Sequence, residues 1–318
     1  MGLRNWLFGG SKAQVPKAAD TEAPNGKSDD SIFGDIIDIP SRNFIGLSAK
    51  SPNRRFSIAW CDGGPNQSRA GRYILLDRGK IVAEGKMARP NDGKVTDNGV
   101  FILNDWGDSE SLSGVFAAFR PDGSTIVVRK FSANLYNNGL SADGTRAVCQ
   151  TANAPGGDGN LLTAFDLIHG NELGAWRPES GWARSYEFSE DGNTIRLIYP
   201  ERGGFLYSVD GKFIDRMKWL AAGLACGDLR TVETLLAETD NAPPYPLVQQ
   251  LLEALKVALS APVNNSPNAR ARILRFRGIC FEAIAESRAA LEAYDEALAL
   301  DPKIGVKRKA DRLRKVVL

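Results

Sequence analysis

The sequence has a single histidine, His169, and it falls beside Gly170 and Asn171 in a stretch that reads as a turn. A Ser–His nucleophilic pair would have to use it, and no Gly-x-Ser-x-Gly elbow accompanies it. Cysteine is almost as scarce. Cys61, Cys149, Cys226 and Cys280 form no Cys-x-x-Cys pair, match no zinc spacing and sit in apolar runs. That pattern reads as buried, reduced thiols of a cytosolic protein. No apolar run approaches the roughly 18 residues that a membrane-spanning helix needs. Net charge is only +2, so nucleic acid is not an expected partner. The run Gly156-Gly157-Asp158-Gly159 has no helix signal after it and reads as a hairpin loop, not a phosphate cradle. The loop carboxylates Asp105, Asp108, Glu110 and Glu187 read as turn formers and solubilising charges. These absences leave no catalytic residue, cofactor or metal ligand to nominate.

What is present is an ordinary globular composition, 43% apolar and 25% charged over 318 residues, enough for two domains with separate cores. Residues 1–34 stand apart as a tail. Leu3, Trp6 and Leu7 are spaced i, i+3, i+4, so one helical turn would gather them on one face, and Arg4 and Lys12 flank them. Residues 9–31, rich in Gly, Ser, Lys, Ala, Pro and Asp, read as a flexible linker. Trp6 stands where a myristoylation signal wants Ser or Thr. The octapeptide reads as a tether for a protein or an anionic membrane surface, or as a frayed end with incidental hydrophobes. The expected location is cytoplasmic, with weak peripheral membrane contact through residues 1–8 as a variant.

From residue 35 the pattern changes to short strands and turns, and it repeats. Ser51-Pro52-Asn53-Arg54, Thr96-Asp97-Asn98-Gly99, Ser141-Ala142-Asp143-Gly144 and Ser189-Glu190-Asp191-Gly192 each precede an apolar strand, at intervals of 45, 45 and 48 residues. Periods near 40–45 residues are the spacing of propeller blades. Asx-Gly pairs supply the positive φ of a tight turn, and a leading Ser or Thr hydroxyl can bond back into it. Tyr73–Asp77, Leu162–Asp166 and Phe205–Asp210 end on apolar-Asp pairs followed by turns at Gly79, Gly170 and Gly211; the second repeat keeps only the turn, Asp122-Gly123. This segment resembles WD-repeat-like β-propeller blades over about residues 43–216. The resemblance implies that the Ser-x-Asp-Gly turn joins the first two strands of a blade and the apolar-Asp pair ends the third. The strict pattern is departed from, since there is no Gly-His dipeptide. A count of four allows a compact ring, a partial ring completed by another copy, or a twisted meander. Asn43–Leu47 is expected to supply the first strand, and Asp35–Ile39 to pair with the edge of the last repeat and protect it.

From about Met217 strand signals stop. Lys218–Cys226 and Asp228–Glu238 read as short helices split by Gly227, with Asp228 as N-cap. Pro243, Pro244 and Pro246 break the chain before a helix over Leu247–Ser260. Leu274, Gly278, Phe281, Ala290, Tyr294, Ala297 and Pro302 then stand at the spacings of a tetratricopeptide repeat, which residues 271–302 closely resemble. In that family the small residues allow close helix approach, the aromatics fill the space between helices, and the proline begins the next helix, here Lys303–Val317. The first helix of such a repeat lines a groove. Counted through the motif, the resemblance assigns partner contacts to Arg272, Arg275, Ile279 and Glu282, with Ala283 beside them. Two arginines a turn apart suit a carboxylate, an acidic peptide or a helix, and equally a solvated basic face.

The expected architecture is therefore multidomain β + α: a tail over 1–34, a four-repeat β-propeller-like domain over 35–216, and an α-helical tetratricopeptide-like domain over 217–318. The expected function is a non-catalytic scaffold or adaptor for protein partners. The alternatives are a propeller-type metal-dependent hydrolase or lactonase using channel carboxylates, and a peripheral membrane adaptor.

Overall fold

The computed structural model describes residues 35–63, 70–107, 112–200 and 202–317. The N-terminal tail, with its apolar octapeptide and linker, lies outside them, as do Asp108 and Glu110. The described chain is mixed β and α, four antiparallel sheets followed by six helices. It divides into one compact unit ending at Arg216 and another beginning at Met217.

The first sheet runs β1 (Asp35–Ile39), β2 (Phe44–Lys50), β3 (Phe56–Cys61), β4 (Gly71–Asp77) and β5 (Lys80–Met87) in that spatial order. The second is β6 (Pro90–Val95), β7 (Phe101–Asp105), β8 (Gly114–Phe119) and β9 (Thr125–Phe131). The third is β10 (Leu135–Leu140), β11 (Arg146–Thr151), β12 (Leu162–Asp166) and β13 (Asn171–Trp176). The fourth is β14 (Ser185–Phe188), β15 (Thr194–Tyr199) and β16 (Gly203–Ser208). Every strand pairs with its sequence neighbour, so each sheet is a meander. Among the described residues no closed barrel or closed propeller is formed.

The turns led by Ser51, Thr96, Ser141 and Ser189 join β2 to β3, β6 to β7, β10 to β11 and β14 to β15. Ser141 Oγ donates to Asp143 Oδ1 at 2.6 Å and accepts from the Arg146 amide at 2.9 Å. Ser189, Asp191 and Thr194 repeat this at 2.6 and 3.0 Å. Ser51 bonds Asn53 and the Phe56 amide in the same way. A hydroxyl and a carboxyl thus satisfy amides that a two-strand turn leaves unpaired. Asp77 ends β4, the fourth strand of the first sheet, and Asp166 ends β12, the third strand of its own.

Side-chain alternation with period two lets the middle sheets bury both faces. Phe101 and Leu103 of β7 pack with Ile58, Trp60, Tyr73 and Leu75 of the first sheet. Ile102, between them, packs the other way, with Ala147, Cys149 and Phe165 of the third. Phe116 and Phe165 stack at 4.6 Å across that second interface, worth about 0.5–1.5 kcal/mol beyond the area buried. Val148, Leu162 and Ala164 meet Ile195, Leu197 and Tyr207 of the fourth sheet. On the opposite face of that last sheet the cross-strand partners Glu187 and Arg196 form an ion pair at 3.6 Å.

One expectation is corrected. β1 pairs with β2 of its own sheet, Asp35 opposite Ser48 through Ile39 opposite Phe44, and not with the last sheet. A three-residue 3-10 turn, Pro40–Arg42, closed by the positive φ of Asn43, folds it straight back. Local hairpin closure costs little entropy compared with pairing across the whole unit.

The helices are α1 (Arg216–Ala225), α2 (Leu229–Glu238), α3 (Tyr245–Ser260), α4 (Pro267–Ala283), α5 (Ser287–Leu300) and α6 (Lys307–Val317). Asp228 caps α2 by accepting from the Thr231 amide, and Ser266 caps α4 through Ala269. Gly227 is left-handed, and a Cβ there would stand 2.7 Å from the Ala258 amide nitrogen of α3. Pro302 does not begin the last helix, which starts at Lys307. Asp301 Oδ1 accepts from the Lys303 amide, and Gly305 at φ +86° prolongs the turn.

Candidate functional site

The four partner-contact residues assigned to α4 occupy different environments. Arg272 reaches Glu233 of α2 in an ion pair. Arg275 is half-buried with its guanidinium 5.8 Å from the Phe276 ring. Ile279 is 4% exposed, part of the packing of α4. Glu282 accepts from Tyr294 of α5 and from Lys309 (2.9 Å) and Arg312 of α6. Burial alone would raise its pKa; these three donors outweigh that and hold it below the ordinary value. Two of the four residues therefore face other helices: α2 lies along the side of α4 that carries Arg272, and α6 reaches over its end. Motif spacing fixes the rotation of a residue on its helix but not which neighbours cover that face.

The motif's packing residues lie together. Leu274, Gly278, Ala290, Tyr294 and Ala297 are all buried. A Cβ on Gly278 would stand 2.3 Å from Tyr294 Cε1, so glycine is what lets the two helices close on that ring.

Two clefts of this unit open along α3. A cleft of about 510 Å³ separates α3 from α4, with Leu252, Leu259 and Phe281 as its apolar lining and Glu253, Lys256 and Arg277 among its polar residues. A second, of about 350 Å³, lies between α1 and α3 and is lined by Ala221, Leu224, Ala225, Ala254 and Val257, with Gln250 and Glu253. Glu253 borders both. Phe281, read from the motif as a filler between helices, instead lines the first cleft, and the Arg277 guanidinium sits 5.7 Å from its ring centroid. The available signal was the polar run Gln249, Gln250, Glu253 and Lys256 interrupted by Val257, which is 38% exposed.

In the β unit, His169 Nδ1 lies 2.8 Å from Asp166 Oδ2, and Arg146 donates to the same carboxylate at 3.0 Å. The imidazole is largely exposed in its turn. Asp105 is buried and accepts from the amides of Ala88, Arg89 and Gly107, so it organises backbone. Glu187 is committed to Arg196. Among the described residues no group of three or more His, Cys, Asp or Glu side chains is arranged to hold a metal, and no helix is long and apolar enough to cross a membrane.

No family model and no curated protein matches the chain. Among solved structures it is similar to the computationally designed Ika8 protein, with a TM-score of 0.36 and 11% identity over 51% of this chain and 44% of that one. The chain thus spans less than half of the designed protein, and a likeness at that level carries no argument about fold or activity.

Proposed function

We propose that this chain is a non-catalytic interaction protein, with WD-like blades stacked in an open series and a helical unit built around one tetratricopeptide-type repeat. The observation that carries it is the pair of clefts flanking α3, apolar inside and rimmed by Lys256, Arg277 and Glu253. Such a surface suits an amphipathic helix or extended peptide whose apolar side chains enter the clefts and whose acidic groups meet the rim cations. The Arg272, Arg275, Ile279 and Glu282 set is replaced in this role by Arg277 and Phe281, because Ile279 and Glu282 are engaged within the unit.

The test is quantitative affinity capture from the native host extract with the full chain, comparing wild type with Lys256→Glu/Arg277→Glu. Selective loss of one captured protein, regained when that protein is added back as a purified component to wild type only, is the expected result. Identical captured sets, or none with either, would sink the proposal.

A further inference from the structure

The four sheets meet at three junctions, and two of them are closed by hydrogen bonds between successive turns. The Asn53 amide of the first turn donates to Asp97 Oδ1 of the second at 2.9 Å, and Asn98 Nδ2 of the second donates to the Asp143 carbonyl of the third at 2.8 Å. The turn glycines seal these contacts. A Cβ on Gly99 would stand 2.9 Å from the Phe56 ring, and one on Gly144 would stand 3.1 Å from Val100 Cβ. The third junction is built differently. There the turns at residues 141–144 and 189–192 flank a cleft of about 520 Å³. Leu140, Tyr186 and Phe188 form its apolar lining, and Asp143, Arg146 and Glu190 are among its polar residues.

The residues present explain why this junction stays open. Residues 88–89 lead from the first sheet into the second and 132–134 from the second into the third, but a longer link, 177–184, leads into the fourth. Asn98 and Asp143 hold the same place in their turns, Thr96-Asp97-Asn98-Gly99 and Ser141-Ala142-Asp143-Gly144. Asn98 has an amide hydrogen to give to the next turn; an Asp143 carboxylate has none. It accepts instead from Ser141 Oγ at 2.6 Å and from the Thr145 amide and hydroxyl at 3.0 and 2.8 Å. Burial alone would raise its pKa, but these bonds hold it below the ordinary carboxylate value, so it is ionised at neutral pH. Glu190 brings a second carboxylate to the same cleft, with no partner among the described residues. The neighbouring cation is already taken: Arg146 donates to Asp166 Oδ1 at 3.0 Å, to the Thr145 carbonyl at 3.0 Å and to the Gly192 carbonyl at 3.3 Å. The cleft therefore carries uncompensated negative charge beside an apolar floor. That floor is fixed in place. Tyr186 donates its hydroxyl to Asn137 Oδ1 at 2.7 Å, just past the bulge at Tyr136 in β10, and its ring packs so closely on Gly139 that a Cβ there would stand 2.8 Å from Cδ2. A preformed cleft has little ordering left to do when it is filled.

We propose that this cleft binds a basic side chain, lysine or arginine, of a peptide segment from a protein partner. The ammonium or guanidinium group meets Asp143 and Glu190, and its aliphatic stem covers Leu140 and Phe188. A bare divalent ion fits less well. It wants about six oxygen ligands, and among the described residues no three His, Cys, Asp or Glu side chains gather to hold a metal. The site lies in the β unit and takes the opposite charge from the clefts along α3, so either surface can bind without the other.

The test is fluorescence anisotropy of the full chain with three labelled heptapeptides of sequence Gly-Ala-Leu-Xaa-Leu-Ala-Gly, the central residue being lysine, arginine or norleucine. Saturable binding of the lysine or the arginine peptide is expected, about tenfold or more tighter than that of the norleucine peptide, which keeps the stem and lacks the charge. Asp143→Asn and Glu190→Gln should each weaken it about fivefold or more, and added salt should weaken it in wild type. Asp143→Asn keeps the turn, because Asn98 accepts from the Thr96 hydroxyl and the Val100 amide at the equivalent place. Glu190 is exposed, so its variant leaves the fold untouched. Failure of both basic peptides to bind at millimolar concentration overturns the proposal, as does equal binding of the norleucine peptide or indifference to both substitutions. Titration with calcium alone separates the rival: micromolar calcium binding that both substitutions abolish, without peptide binding, also overturns it.

Discussion

Tyr294 of α5 donates its hydroxyl to the carboxylate of Glu282 near the end of α4, and Lys309 and Arg312 of α6 converge on the same two oxygens. One side chain thus joins three helices where apolar packing thins, since α6 itself buries only Ala310 and Leu313. Glu282→Gln would leave an amide facing two cations. The expected cost is about 1–2 kcal/mol in urea unfolding, discounted because Arg312 is largely solvated. Hydrogen exchange should show α6 losing protection first, since it depends most on this junction.

The same junction sets a pH dependence of defined sign. Burial pushes the Glu282 pKa up, but the bonds from Tyr294, Lys309 and Arg312 bring it below the ordinary 4.5. A carboxylate depressed in the folded state adds stability above its unfolded pKa and loses it as pH falls through the folded one. Between pH 7 and pH 3 the wild type should therefore lose its margin over Glu282→Gln, and the two unfolding midpoints should converge. Parallel curves across that range would show that the carboxylate's charge contributes nothing.

Two glycines separate close approach from backbone conformation. Gly278 is helical, and its added Cβ would meet the Tyr294 ring at 2.3 Å. Gly278→Ala should cost about 1–3 kcal/mol by overpacking despite alanine's better helix propensity. Gly79, at φ +79° with nothing within 4 Å, has only its left-handed backbone to lose. Gly79→Ala should cost about 1–2 kcal/mol, and Gly79→Asn should recover part of it, because asparagine tolerates that region. Gly278→Asn should recover nothing. Thermal melts of the four variants check the pattern.

The features legible in the sequence are those whose chemistry is local. The Ser141–Asp143 and Ser189–Asp191 turns hold their own amides within six residues, so spacing alone located them. The Asp228 cap was legible for the same reason. Features decided by distant neighbours were not. Nothing in Asp35–Ile39 says which strand edge it will take. Nothing near Glu282 announces that Lys309 and Arg312 will arrive from 27 and 30 residues away. The bulge at Tyr136 escaped because alternation predicts a direction for every residue, whereas a bulge exists only in the pairing of β10 with β11. Ile279 is buried in the packing of α4 and Glu282 is taken up by α5 and α6, contacts that motif spacing does not encode.

The cysteines offer a separate report on each unit. Cys149 is fully buried between the second and third sheets, and burial pushes its thiol well above the ordinary range. Cys280 of α4 is likewise pushed up by burial, to about 12. Since the thiolate is the reacting species, both should resist maleimide at pH 8 in the folded protein. Cys226 is exposed and donates weakly to the Gly223 carbonyl, so it should react at once; Cys61, half-buried at the end of β3, should react more slowly. In rising urea, Cys149 reports opening of the β unit and Cys280 that of the helical unit. Each unit has its own buried core, so the two protections should be lost at different urea concentrations, read by mass spectrometry of the labelled peptides. Simultaneous loss at every concentration would mean that the two cores unfold as one cooperative body.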